Sequence, residues 1–96
     1  MSSAVRDNPA RKRYELELNG GTAFVTYTRA PRVITLLHAE VPPALEGRGY
    51  GSALVRGVLE QVRADGNKMI PLCPFIAAYL LKHPEFDDLR TTGTTP

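Results

Sequence analysis

This chain has little of what would commit it to a membrane, a disulfide scaffold or a nucleic acid. It carries one cysteine, Cys73, so no disulfide can close within it, and a reducing compartment is expected. No apolar run approaches the roughly 20 residues a membrane helix needs. Residues 1–9 also lack the apolar stretch of a signal peptide. The expected location is the cytoplasm, with no membrane partner. Formal net charge is only +2, and the one basic cluster, Arg11-Lys12-Arg13, reads as the solvated flank of a strand. Aromatic residues are not interleaved with the basic ones, so base stacking has little to work with and nucleic acid is not expected. His, Cys, Asp and Glu nowhere take metal-ligand spacing, and no metal is expected. Internal repeats and low-complexity segments are absent as well.

What is present suits one small domain. Ninety-six residues with 43% hydrophobic content have no room for a second core. A chain of this size buries roughly 60–70% of its unfolded surface, enough for a core without metal or disulfide staples. Residues 1–11 are polar and carry Pro9, and are expected to form a flexible N-terminal arm. Residues 12–90 form the domain, and 91–96 a frayed tail. Residues 14–18 alternate apolar and acidic side chains, as a half-buried strand does. Asn19-Gly20-Gly21 follows as a hairpin turn. Residues 22–28 are β-branched and aromatic, a second strand. Residues 33–41 make a third, stopped by Pro42-Pro43.

A helix is expected over residues 51–64, where Leu54, Val55, Val58, Leu59 and Val62 form one broad apolar stripe. Arg56, Glu60 and Arg63 lie on its other face, at spacings that allow ion pairs. Gly66 suits a left-handed cap after it. Residues 68–72 read as a fourth strand, with Pro71 favouring an edge position. A second helix starts near Pro74, with Phe75 and Tyr79, and Ile76 and Leu80, four apart along one face. His83 before Pro84 ends it. Strand, helix and strand from residue 33 to 72 form a crossover, which places the last strand parallel to the third or its neighbour. The fold class is therefore α+β: an antiparallel β-meander plus one βαβ crossover, with two main helices.

The most informative stretch is Glu46-Gly-Arg-Gly-Tyr-Gly-Ser52, with glycines at alternate positions just before the first helix. Glycine permits positive φ and close approach by a ligand. A helix starting there adds free N–H groups and the positive end of a dipole, so the stretch reads as a pocket for an anionic group, with phosphate expected. It is not a P-loop, because Gly51 is followed by Ser52-Ala53 rather than Lys then Ser or Thr. Nor is it a dinucleotide fingerprint, because Ser52 stands where the third glycine belongs.

Residues 46–55 resemble the cofactor loop of the GNAT superfamily of N-acetyltransferases, whose pattern is Arg or Gln, two residues, Gly, one residue, then Gly or Ala. Gly49 and Gly51 match the small positions, while Glu46 stands where Arg or Gln is usual. His38-Ala-Glu-Val-Pro42 before the loop and Pro71-Leu-Cys-Pro-Phe75 after it resemble a minimal, short branch of that superfamily, over residues 14–89. The resemblance implies a truncated GNAT-like fold that keeps the cofactor-binding half. It implies acetyl-CoA as co-substrate, with its pyrophosphate on the N–H groups of Arg48, Gly49, Tyr50, Gly51 and Ser52. The pantetheine arm would run near Val41. Gly47, Cys73, Pro74, Phe75, Tyr79 and Lys82 complete the implied cofactor-binding set. The implied acceptor is an amine, on a small molecule or on a protein lysine or N-terminus. The expected assembly is a monomer or weak homodimer.

Four residues are candidates for the chemistry. Cys73, at a helix N-terminus, could be a thiolate that accepts the acetyl group, or a small core residue. His38 and Glu40 are two apart on a strand and share a face. They suit a general base with its orienting carboxylate, or a solvated pair on an outer face. Tyr79 falls on an apolar stripe, yet the resemblance implies that it protonates the departing CoA sulfur. Two other functions remain open: a CoA-binding module without transfer, and a protein-interaction domain whose glycines are structural.

Overall fold

The computed structural model describes residues 4–91. Its five-stranded sheet runs in the order β1 (Arg6–Asn8), β2 (Arg13–Leu18), β3 (Gly21–Ala30), β4 (Val33–Glu40) and β5 (Lys68–Pro71). The first four strands form an antiparallel meander, and β5 pairs parallel to β4 at the sheet edge. Between them runs α1 (Tyr50–Ala64), and after β5 comes α2 (Pro74–Lys82). Short 3₁₀ turns occupy Pro43–Leu45 and Pro84–Leu89. The meander plus crossover is the α+β architecture expected of the sequence.

The N-terminal arm differs from expectation. Residues 6–8 join the sheet as β1, with Arg6 opposite Glu15 and Asn8 opposite Arg13. What holds them is long-range. The Tyr27 hydroxyl and the Arg29 guanidinium both donate to the Asp7 carboxylate, and Val5 is buried in the core. Three residues carry no readable periodicity, and partners 20 or more positions away leave no local trace. At the other end Arg90 bridges to Met69, and the Thr91 N–H donates to the Met69 carbonyl at 3.0 Å. The rest of the expected tail, residues 92–96, lies outside the described residues.

The apolar stripe of α1 explains its packing. Leu54, Val55, Val58, Leu59 and Val62 are all fully buried, against Tyr14, Val25, Ile34 and Leu36 of the sheet. Each such side chain contributes about 1.5–3 kcal/mol. α1 ends in a Schellman motif, with Asn67 N–H to the Val62 carbonyl and Gly66 N–H to that of Arg63, both 3.0 Å. On its outer face Arg56 pairs with Glu60, four residues on, while Arg63 reaches Asp88 instead. In α2, Ile76, Tyr79 and Leu80 face the core, but Phe75 does not: it is 46% exposed. None of the helices among the described residues is long and apolar enough to cross a membrane.

One irregularity positions the site. The β3–β4 register slips between Tyr27↔Leu36 and Thr26↔His38, leaving Leu37 without a partner on β3. A bulge reverses side-chain alternation. Ile34 and Leu36 face the core before it. After it Ala39 packs against the core, and His38 and Glu40 point to the open face.

Candidate functional site

The glycine loop begins where the first 3₁₀ turn ends, with the Glu46 N–H donating to the Pro43 carbonyl at 3.3 Å. Gly47 and Gly49 then take φ of +82° and +81°, a region costing an L side chain about 1–2 kcal/mol. A Cβ at either position would meet nothing within 4 Å. The glycines are there for backbone conformation, and the space above them is open. Gly49 is the N-cap of α1, and the first bond into the helix runs from Ala53 N–H to the Gly49 carbonyl at 3.2 Å. Among the described residues, no acceptor engages the N–H groups of Arg48, Gly49, Tyr50, Gly51 or Ser52. The first turn holds no acidic side chain either. Five backbone donors without an acceptor and an uncompensated dipole end therefore fall within one short stretch, four of whose residues, Gly49 to Ser52, line a cavity.

The cavity holds about 440 Å³. Gly47, Gly49, Gly51 and Ser52 form one wall, Ala39 and Val41 the β4 side, and Tyr50 and Phe75 also line it. Phe75 stands against Gly51, where a Cβ would lie 2.9 Å from the ring tip. Much of the expected cofactor set is thus gathered in one cavity. Arg48, Cys73, Pro74, Tyr79 and Lys82 are not among its lining residues. Ala39, Leu45, Glu46 and Leu54 also line it, and they stood outside the expected cofactor-binding set. Ala39 was within reach, since it is two residues from Val41 on the same strand face. Leu54 was hidden within the core stripe.

Beside the cavity the sheet splits. The β4–β5 ladder ends at Leu36↔Pro71, and the Leu36 carbonyl accepts from both Leu72 N–H (3.0 Å) and Cys73 N–H (3.1 Å). Beyond this point the chain turns into α2. The β4 edge over residues 37–40 then has no strand neighbour on that side among the described residues.

The candidates for chemistry do not form one cluster. His38 Nε2 lies 3.2 Å from Glu40 Oε1, so the same-face reading holds; both side chains are exposed, at 61% and 56%. Cys73 is 3% exposed and belongs to the core cluster, its carbonyl accepting the Ala77 N–H at the start of α2. Tyr79 is buried and stacks on His83 at 3.9 Å between ring centroids. The Tyr79 hydroxyl is also the first cause holding the Arg56 guanidinium above its ordinary pKa. His83 ends α2, as its place before Pro84 suggested, and its Nδ1 lies 3.4 Å from Glu85 Oε2. Among the described residues no three or more His, Cys, Asp or Glu side chains converge as a metal site would require.

Comparison with known proteins bears on the family and the fold. The sequence pattern described as GCN5-related N-acetyl-transferase matches residues 13–89. Protein NATD1 of Mus musculus is 30% identical over 83 residues, which cover 83% of this chain and 76% of that protein. Protein NATD1 of Xenopus tropicalis is 31% identical over 88 residues, covering 86% and 81% respectively. A GCN5-like protein from Staphylococcus aureus, solved by NMR in solution, superposes with a TM-score of 0.68 at 24% identity. That match covers 95% of this chain and 91% of the other.

Proposed function

Because this chain belongs to the GCN5-related N-acetyltransferase family, we propose that it moves an acetyl group from acetyl-CoA to an amine. The observation that carries this reading is the row of unengaged N–H groups from Arg48 to Ser52, of which Gly49, Tyr50, Gly51 and Ser52 line a cavity of about 440 Å³. Such a row, at the positive end of α1, is matched to a diphosphate. The Arg48 side chain is free to add a charge-assisted bond. Ala39 and Val41 would guide the pantetheine along the bare β4 edge. Lys82, in the last turn of α2, is assigned to the nucleotide phosphate.

Acetyl-CoA supplies an acyl carbon activated by its thioester. The protein's own part is to position, polarise and move protons. Unpaired N–H groups along the β4 edge would take the charge that develops on the carbonyl oxygen. His38 accepts a proton from the incoming amine, and Glu40, 3.2 Å from its Nε2, orients the ring. Tyr79 is assigned to the departing sulfur. Cys73, buried at the head of α2, is assigned to packing behind the cofactor arm, so transfer is direct.

A second reading, a CoA-binding module without transfer, draws on the dispersal of these side chains: Tyr79 and Cys73 lie away from the cavity lining. Two measurements separate the readings. Calorimetry with CoA is expected to give a saturable isotherm that Gly49→Val abolishes, and no binding at millimolar CoA would end both readings. Thiol release from acetyl-CoA in the presence of primary amines then distinguishes transfer from binding alone.

A further inference from the structure

The glycine loop has little of its own to rest on. Residues 46–49 are exposed, and a Cβ on Gly47 or Gly49 would touch nothing. From Val41 to Ala53 only Leu45 is buried, at 7% exposure. Leu45 also stands outside the core cluster that gathers every other buried apolar side chain among the described residues. Its burial therefore has a local cause.

That cause is the turn between β2 and β3. A Cβ on Gly20 would lie 3.7 Å from Leu45 Cδ2 and 3.9 Å from its Cδ1. The next contact is tighter. A Cβ on Gly21, the first residue of β3, would lie 2.8 Å from Pro42 Cγ and 3.2 Å from Pro42 Cβ. The proline ring is tied to its own backbone and cannot swing aside as a long side chain does. Pro42 in turn holds Leu45, whose N–H donates to the Pro42 carbonyl at 2.8 Å. Leu45 lines the cavity and directly precedes Glu46, where the glycine loop starts. Contacts thus run without a break from the β2–β3 turn to the loop.

We propose that this turn is the seat of the cofactor loop, with Gly21 and Pro42 as positioning residues, an assignment that rests on reading the loop as a diphosphate site. Neither residue lines the cavity, so both act through Leu45 and the loop and not on the ligand. A loop held in place beforehand is spared the entropy of being ordered when the ligand binds.

The test is a cycle of Gly21→Ala, Pro42→Ala and the double variant, read by CoA calorimetry and acetyl-CoA kinetics. Gly21→Ala presses on the ring and should raise the CoA Kd roughly three- to tenfold, within the span of coupled neighbours. Pro42→Ala keeps the carbonyl that Leu45 uses but removes Cγ, and should raise Kd about twofold. In the double variant the new methyl has room, so Kd should return to within about twofold of wild type. Backbone strain at Gly21, whose φ is +159°, is not relieved by Pro42→Ala, and strain alone would make the two losses multiply. KM for acetyl-CoA should follow Kd while kcat holds, as for lost binding that is uniform between ground and transition states. Should Gly21→Ala not fold, Pro42→Ala at its half-buried position still decides, and an unchanged Kd there overturns the assignment. Losses that multiply in the double variant, or an unchanged Kd in Gly21→Ala, also overturn it while wild-type CoA binding stands. A wild type that binds no CoA overturns the diphosphate reading of the loop, and this assignment with it.

Discussion

Gly51 and Phe75 meet across the mouth of the cavity, so closely that a Cβ on Gly51 would sit 2.9 Å from the ring tip of Phe75. Gly51 lies inside α1 and its φ is not in the left-handed region, so contact rather than conformation demands glycine here. Alanine would force the ring aside. Phe75 is 46% exposed and can give way cheaply, and alanine is the better helix former by about 1 kcal/mol. Gly51→Ala should therefore leave the melting temperature within a few degrees of wild type. CoA affinity, read by calorimetry, should nonetheless weaken several-fold because a wall of the cavity has moved. Unchanged affinity would remove Phe75 from the binding surface.

Glu46 is expected to oppose the ligand it faces. Its side chain lines the cavity beside the bare N–H groups, where a diphosphate would bring like charge. Glu46→Gln should tighten CoA binding by a few-fold at low ionic strength. The gain should shrink as salt rises, because charges more than about 10 Å apart are screened at 0.1 M. Weaker binding in this variant would mean that Glu46 holds the loop or accepts a bond from the ligand.

How much of this was legible in the sequence depends on the range of the interactions involved. The stripe from Leu54 to Val62 and the cap at Gly66 are written by neighbours a few residues apart, and they form as read; the hairpin turn read over Asn19-Gly20-Gly21 forms on Asn19 and Gly20, with Gly21 already paired in β3. The glycine loop was legible for the same reason, although Gly51 serves packing rather than the loop's own conformation. β1 was missed because Asp7 depends on Tyr27 and Arg29. The bulge at Leu37 leaves no sequence mark, so the placing of His38 and Glu40 opposite the cavity required the β3 register. Phe75 was misplaced with Tyr79 on one face. Its close approach to Gly51 turns it to the cavity, and helical spacing alone cannot register that.

His38 is expected to matter to turnover and not to binding. It is exposed, contacts Glu40 at 3.2 Å, and does not line the cavity. His38→Gln should lower kcat/KM toward primary amines by roughly 10²–10⁴, the usual range for a general base, with CoA affinity unchanged. Glu40→Gln, which spares the ring and removes its orienting charge, should cost less. A His38→Gln enzyme with full activity would leave proton removal to water and the pair to the solvated surface.

Tyr14 offers a prediction about stability alone. Its ring is fully buried, 4.9 Å from that of Tyr27, and its hydroxyl has no hydrogen-bond partner among the described residues. An unsatisfied buried hydroxyl costs about 1–3 kcal/mol, so Tyr14→Phe should stabilise the fold by about 1 kcal/mol. For a domain of this size that raises the melting temperature by roughly 4–8 °C. The pH dependence follows from the same burial. Burial first, and Asp7 second, push the Tyr14 phenol above its usual value of 10.0. The folded state therefore holds the proton more tightly than the unfolded chain. Stability from this group is complete below pH 10 and falls as the pH rises beyond it, because only the unfolded phenol ionises readily. The Phe variant should lose less stability than wild type in denaturant titrations above pH 10. Tyr27, whose phenol is also raised, should retain part of the slope. A destabilised Tyr14→Phe would mean that the hydroxyl has a partner after all, such as a buried water.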